Sequence, residues 1–222
     1  MGELRHDGQI RNILGKGRAT RKTFFTMLGA LAVSILVLSG CESKEPAALP
    51  EAGKKAPDFT LRSFDDKEVS LADYKGKIVV LEWFNDECPY VRYHYDNVST
   101  MVDLAKNYKD KNVVWLAVNS TNHTTAEQNK DFAAKHNLPY PILDDRPGKV
   151  GRAYGATNTP HMYIIDTNGN IAYEGAIDNS PMGGKKEGVI NYVRKALMEL
   201  TGGKPVSTPN TKPYGCTVKY PR

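Results

Sequence analysis

At 222 residues, with 40% apolar and 25% charged side chains, the chain has enough apolar material for a packed core, and global disorder is excluded. Its formal charge of +5 is unevenly spread: residues 1–40 carry six basic and two acidic side chains, and the remainder holds 24 basic against 23 acidic. A near-neutral remainder offers no broad basic face, so nucleic acid is excluded as the partner that the charge would suggest.

The first element in chain order is a leader. Arg18, Arg21 and Lys22 precede an uncharged stretch over 24–40 that is apolar from Met27 through Leu38 and ends in Ser39-Gly40. A basic start, an apolar centre and small residues before a cut describe a secretory signal. The alternative is an uncleaved signal anchor, because about 17 uncharged residues sit at the short limit for crossing a bilayer. Leu38-Ser39-Gly40-Cys41 resembles the bacterial lipobox. That resemblance implies a lipoprotein signal peptide over 1–40, lipidation of Cys41 as the new N-terminus, and a domain held at the membrane in the cell envelope, outside the cytoplasm. Disulfides persist there. With Cys41 lipidated, two of the three cysteines remain as thiols, Cys88 and Cys216.

Residues 41–56, rich in Ala, Pro, Glu and Lys without apolar periodicity, read as a flexible tether. A folded domain is expected over 57–203. The segments 59–61 and 68–70 flank a polar turn and predict a short hairpin. The apolar run Ile78-Val79-Val80-Leu81 predicts a strand buried on both faces. A helix is expected over 88–108, a strand over 113–118, and a helix over 125–136 with Thr124 as its cap and Glu127 three positions on. A short strand over 141–144 and a short helix over 150–154 follow. Strands over 162–166 and 171–174 flank Thr167-Asn168-Gly169-Asn170, a hairpin signal. A last helix over 188–200 is stopped by Gly202-Gly203. Alternating strands and helices, then a hairpin and a helix, imply an α/β sandwich on a mixed sheet. The tail, 204–222, is Pro-rich and loop-like but carries Cys216 in the apolar island Tyr214-Gly215-Cys216-Thr217-Val218.

Cys88 stands where a buried strand gives way to a helix start. Unpaired N–H groups and the helix dipole favour a thiolate there, and Pro89 suits the first helical position because its missing N–H costs nothing. The alternative is an inert, buried, capping cysteine. The histidines show no zinc-type spacing, no Gly-rich phosphate loop is present, and Cys88 with His94 or His161 offers only two ligands to copper, so neither a metal nor another cofactor is expected.

The residues up to this point resemble the thioredoxin superfamily, in its peroxiredoxin-like AhpC/TSA (redoxin) branch. The likeness runs over 57–200. It rests on Ala56-Pro57-Asp58-Phe59-Thr60-Leu61, on Lys75-Gly76-Lys77 with the following strand, on Trp83-Phe84-Asn85-Asp86-Glu87-Cys88, and on Thr159-Pro160. It implies a three-layer α/β sandwich with a central mixed sheet and helices on both faces. It also implies that Cys88 is the attacking sulfur and that Glu82 matches a buried proton-transferring carboxylate. Thr159-Pro160 would be a cis dipeptide beside the sulfur, holding an extended substrate.

The sequence departs from both family patterns. Val91 occupies the second position of the thioredoxin Cys-x-x-Cys pair, and Asn85 stands where peroxiredoxins carry Thr or Ser. Arg92 and Arg152 are the arginines available for the peroxiredoxin role. Cys216 has three readings: a resolving thiol, half of a structural disulfide with Cys88, or a free or intermolecular cysteine. Three functions follow: a thiol–disulfide oxidoreductase acting on protein or small-molecule thiols, a thiol-dependent peroxidase, and a non-catalytic binding module. The reducing partner is not identified by the sequence.

Overall fold

The apolar run at 78–81 becomes the centre of the sheet. A computed structural model describes residues 51–222, and in it β3 (Ile78–Trp83) is buried at every position. The leader, Cys41 and the first part of the tether lie outside the described residues. Seven strands pair in the order β2-β1-β5-β4-β3-β7-β8. They are β1 (Thr60–Ser63), β2 (Glu68–Ser70), β3, β4 (Val113–Asn119), β5 (Ile142–Asp144), β7 (His161–Ile165) and β8 (Ile171–Gly175). β4 runs parallel to β3 and β5, while β7 is antiparallel to β3 and β8, so the sheet is mixed. A separate two-stranded ladder joins β6 (Asn158–Thr159) to β9 (Cys216–Thr217).

Alternation along β3 sorts the two cores, because successive strand side chains point to opposite faces. Ile78, Val80 and Phe84 pack with Val91 of α1 (Pro89–Arg92), Met101 and Leu104 of α2 (Thr100–Tyr108), Phe132 of α3 (Ala126–Lys135) and Leu197 of α5 (Tyr192–Thr201). Val79, Leu81 and Trp83 pack on the other face with Phe59, Leu71 and Tyr154 of α4 (Lys149–Tyr154). The result is the expected three-layer thioredoxin-like sandwich with helices on both faces. Each buried aliphatic or aromatic side chain of β3 contributes roughly 1.5–3 kcal/mol of transfer free energy. The hairpin at 167–170 forms as expected: Asp166 Oδ1 accepts from the amides of Asn168 and Asn170, both at 2.9 Å, and Gly169 supplies φ +78°.

Beyond small shifts at strand and helix ends, four departures from expectation have a visible cause. The helix over 88–108 is broken: α1 ends at Arg92, a π turn follows at Tyr93–Asn97, and Ser99 at φ +48° precedes α2. The wide turn buries His94 and Tyr95 together and sends them to different partners. The cap of α3 is Thr125, not Thr124. Its hydroxyl accepts from Gln128 N and Gln128 Oε1 accepts from Thr125 N, while Thr124 turns inward and is buried. α5 begins at Tyr192, capped by Asn191, whose side chain accepts from Arg194 N at 2.7 Å, so 188–190 is loop. Residues 53–56, expected in the tether, are bound to the domain: Gly53 N donates to Ile171 O and Ala56 N to Gly169 O.

Candidate thiol site

β3 delivers the chain to Asn85, whose side-chain oxygen accepts from Glu87 N at 2.9 Å and whose carbonyl accepts from Cys88 N at 3.1 Å. This tight turn ends at Cys88, the residue that caps α1, with Pro89 at the first helical position. Cys88 is 1% exposed. Its thiol donates to the Thr159 carbonyl at 3.0 Å. The Thr159–Pro160 peptide bond is cis, and Thr159 is buried with its hydroxyl unpaired. Val91, at the second Cys position of thioredoxins, is fully buried in the core.

The tail reaches this point from outside. Residues 209–211 run beside β8, where Glu174 N donates to Pro209 O and Thr211 N to Glu174 O. Farther on, β9 pairs with β6 so that Cys216 stands opposite Thr159 and Thr217 opposite Asn158. Val218 N then donates to Thr157 O at 3.0 Å. The pairing sets the Cys216 thiol against Cys88; both are free thiols. Burial first, and then the neighbouring Cys88 sulfur, push Cys216 up to about 11, so Cys216 keeps its proton at neutral pH. The structure thus brings Cys88, Thr159, Pro160 and Cys216 together.

Glu82 lies on the Cys88 face of β3 but is not bonded to the sulfur. Tyr95 O–H donates to its two oxygens at 2.8 and 2.9 Å, Trp115 Nε1 donates at 3.0 Å, and Tyr140 O–H supports Tyr95 at 2.9 Å. Glu82 is 0% exposed, the buried carboxylate that the resemblance implied. Burial pushes it up to about 7 against the pull of the Trp115 and Tyr95 hydrogen bonds. Near neutrality it can therefore take or give a proton. The Tyr95–Tyr140–Trp115 cage has no local sequence signal, because its members come from three separate elements.

The raised value has a thermodynamic consequence. The folded chain holds the Glu82 proton more tightly than the unfolded chain, so this stabilisation is full below the ordinary value of 4.5 and is lost as pH rises through about 7. His161 acts in the opposite sense: burial pushes it down to about 4, so stability is lost as pH falls toward that value. The wild-type pH profile therefore blends two offsetting slopes. The difference between wild type and Glu82→Gln isolates the carboxylate and is expected to fall by on the order of 3 kcal/mol from pH 4.5 to 7.5. Denaturant titrations across that range measure it. A pH-independent difference would show that Glu82 titrates at its ordinary value.

The histidines do not converge on the sulfur. His161 faces the opposite side of the sheet, 4.6 Å from the Tyr163 ring centre. His94 is buried and bonded to Thr100 Oγ1 at 3.2 Å and to Tyr214 O–H at 2.9 Å. Tyr214 O–H in turn donates to Asp178 Oδ1 at 2.8 Å. The network requires Nε2–H to donate to Tyr214, leaving Nδ1 to accept from Thr100. Burial lowers the His94 pKa against the pull of Asp178. Sequence reasoning missed this linkage of the tail to the π turn. Neither arginine considered for a peroxide site is bonded to the sulfur: Arg92 pairs with Asp96 at 3.5 Å, and Arg152 donates to Pro221 O at 2.7 Å.

A mixed sheet with a cysteine at the head of the helix after β3, facing a cis-proline peptide, defines a thioredoxin-like protein. The AhpC/TSA family model matches residues 52–174, and the chain belongs to that family. Over 159 residues it is 28% identical to the thiol-disulfide oxidoreductase ResA of Bacillus cereus, covering 72% of this chain and 88% of that one. It is 35% identical over 133 residues to the thioredoxin-like protein YneN of Bacillus subtilis, covering 58% and 73%. A crystal structure of a conserved protein from Geobacillus kaustophilus superposes with a TM-score of 0.70 at 30% identity, over 79% of this chain and 94% of that one.

Proposed function

We propose that this chain is a thiol–disulfide oxidoreductase whose redox couple is Cys88 and Cys216. The observation that carries the reading is the β6–β9 pairing, which holds the Cys216 thiol on Cys88 beside the cis-proline peptide. The Cys88 thiolate attacks one sulfur of a substrate disulfide, and the other substrate sulfur leaves with the bonding electron pair and takes a proton. A mixed disulfide results. Cys216 gives up its proton and attacks the Cys88 sulfur, which expels the second substrate thiolate. Two electrons and two protons have then passed to the substrate, and Cys88–Cys216 is a disulfide. A dithiol reductant restores both thiols, and the same steps run backward oxidise a dithiol substrate.

Glu82 serves as the proton reservoir of this cycle, reaching the sulfur through water or a shift of Tyr95, since its own bonds go to Tyr95 and Trp115. The backbone of Thr159 beside Pro160 holds the substrate segment. Peroxide chemistry is disfavoured, because Asn85 is committed to Glu87 N and neither Arg92 nor Arg152 is bonded at the sulfur. The leader and Leu38-Ser39-Gly40-Cys41 support a domain tethered by lipid at the envelope membrane, where a disulfide couple persists.

The test is thiol mapping by mass spectrometry on residues 42–222, with differential alkylation before and after oxidant and mild dithiol. A Cys88–Cys216 bond that forms with oxidant and opens under mild dithiol is expected. A bond that resists mild dithiol, or a Cys88 that never reacts, would overturn the redox assignment and leave a stapled or inert module.

A further inference from the structure

Any outside substrate meets an obstacle, since the site is already filled by the chain's own tail. We infer that residues 214–218 sit in the groove as a tethered substrate mimic, latched by Tyr214 and Tyr220, and that a partner enters as an extended Gly-Cys segment that replaces this strand. The inference rests on the reading of Cys88 as an attacking thiol.

Three observations carry it. First, the tail uses the backbone that a partner strand would need. Cys216 pairs with Thr159, Thr217 pairs with Asn158, and Asn158 Nδ2 holds Gly215 O at 3.1 Å. Cys88 itself is 1% exposed, so an outside sulfur reaches it only when Cys216 has moved.

Second, the fit is specific in chemistry. Gly215 has φ +111°, and a β-carbon there would overlap the Thr159 carbonyl. A segment in this register therefore needs glycine directly before its cysteine. Two residues before the cysteine, Tyr214 fills a polar and aromatic socket made by His94, Asp178 and the Tyr90 ring, whose centre is 5.9 Å away.

Third, the segment is fastened on both sides of the cysteine. Upstream is the Tyr214 socket. Downstream, Asn122 N donates to Lys219 O at 2.9 Å, the Tyr220 hydroxyl donates to Ala156 O at 2.7 Å, and the Arg152 guanidinium lies 4.5 Å from the Tyr220 ring centre. Gly148 and Gly151 leave the space for that ring, since a β-carbon on either would meet it. Fastenings of this kind, spaced around a two-residue ladder, let the short strand leave when one of them opens.

The test uses the full soluble chain carrying Cys216→Ser, which keeps the tail and removes its sulfur. Its probe is a peptide of residues 211–219 with the cysteine as a mixed disulfide to thionitrobenzoate, alongside the same peptide with Gly215→Val. Attack by Cys88 joins the peptide to the protein and releases one coloured thiolate per event. Adding Tyr220→Ala or Tyr214→Phe is expected to speed release about tenfold, the weight of a lost hydrogen bond or two. In either background the native peptide is expected to outpace the Gly215→Val peptide. Melting curves confirm that each variant is folded.

Equal rates with the latch intact or opened would overturn the inference while leaving Cys88 a working nucleophile. Latch-dependent rates without discrimination between the peptides would reduce the tail to a lid and overturn the substrate assignment. No release from any folded variant would overturn the thiol–disulfide reading itself.

Discussion

Cys88→Ser is expected to lose thiol–disulfide exchange by about a thousandfold or more, because among the described residues the remaining thiol beside Thr159, Cys216, keeps its proton at neutral pH and does not stand at the head of α1. The fold should tolerate the change. Serine is close to cysteine in size, and its hydroxyl inherits the Thr159 carbonyl as acceptor, so the stability cost is expected to stay near 1 kcal/mol. Cys216→Ser should behave differently. The first attack on a substrate disulfide survives, but the mixed disulfide on Cys88 has no internal thiol to resolve it. Release of a reporter thiol from a model disulfide, followed by intact-mass measurement, separates the two. Cys88→Ser should give neither release nor adduct. Cys216→Ser should give one equivalent of release and a stable adduct. Exchange at the wild-type rate by Cys88→Ser would remove Cys88 from the mechanism altogether.

What the sequence made legible follows from how local each signal is. The strand at 78–81 could be read because an unbroken apolar run must be covered on both faces, and β3, which runs two residues further to Trp83, is indeed the covered centre. The turn at 167–170 could be read because asparagine and glycine carry its geometry themselves. Cys88, Thr159 and Pro160 were placed by resemblance, and the fold brings them together. The break in the helix at Tyr93–Asn97 could not be read, since it is fixed by partners far along the chain: Glu82 for Tyr95, and Tyr214 for His94. The cap of α3 slipped by one residue because two adjacent threonines, Thr124 and Thr125, look equivalent until one is buried. Glu82 was recognised by position alone; its cage of Tyr95, Tyr140 and Trp115 exists only after β3, the π turn, β4 and the segment leading into β5 are assembled. The tail read as loop because its order is borrowed, from β8 for residues 209–211 and from β6 for Cys216.

Closing the bond between Cys88 and Cys216 is expected to raise stability by ~4–5 kcal/mol, the chain-entropy value for a loop of well over 100 residues. For a domain of this size that is an upward shift in melting temperature of roughly 10–15 °C. The stabilisation comes from the unfolded state, because the reduced tail is already docked by β6–β9 and by Tyr214 and Tyr220, so little new order is required of the folded chain. Oxidised and reduced protein compared by calorimetry should differ by this amount, and Cys216→Ser should melt like the reduced form under both conditions. Linkage gives the number a second meaning: whatever the bond adds to folding, folding adds to the bond. A difference near the full loop value lowers the couple's reduction potential by roughly 100 mV, which leaves the bond open to a partner dithiol once the tail is drawn aside. A difference close to zero means that closing the bond strains the docked tail by nearly the loop term. A strained bond is readily reduced, so the couple would then spend its resting time as two thiols with Cys88 ready to attack.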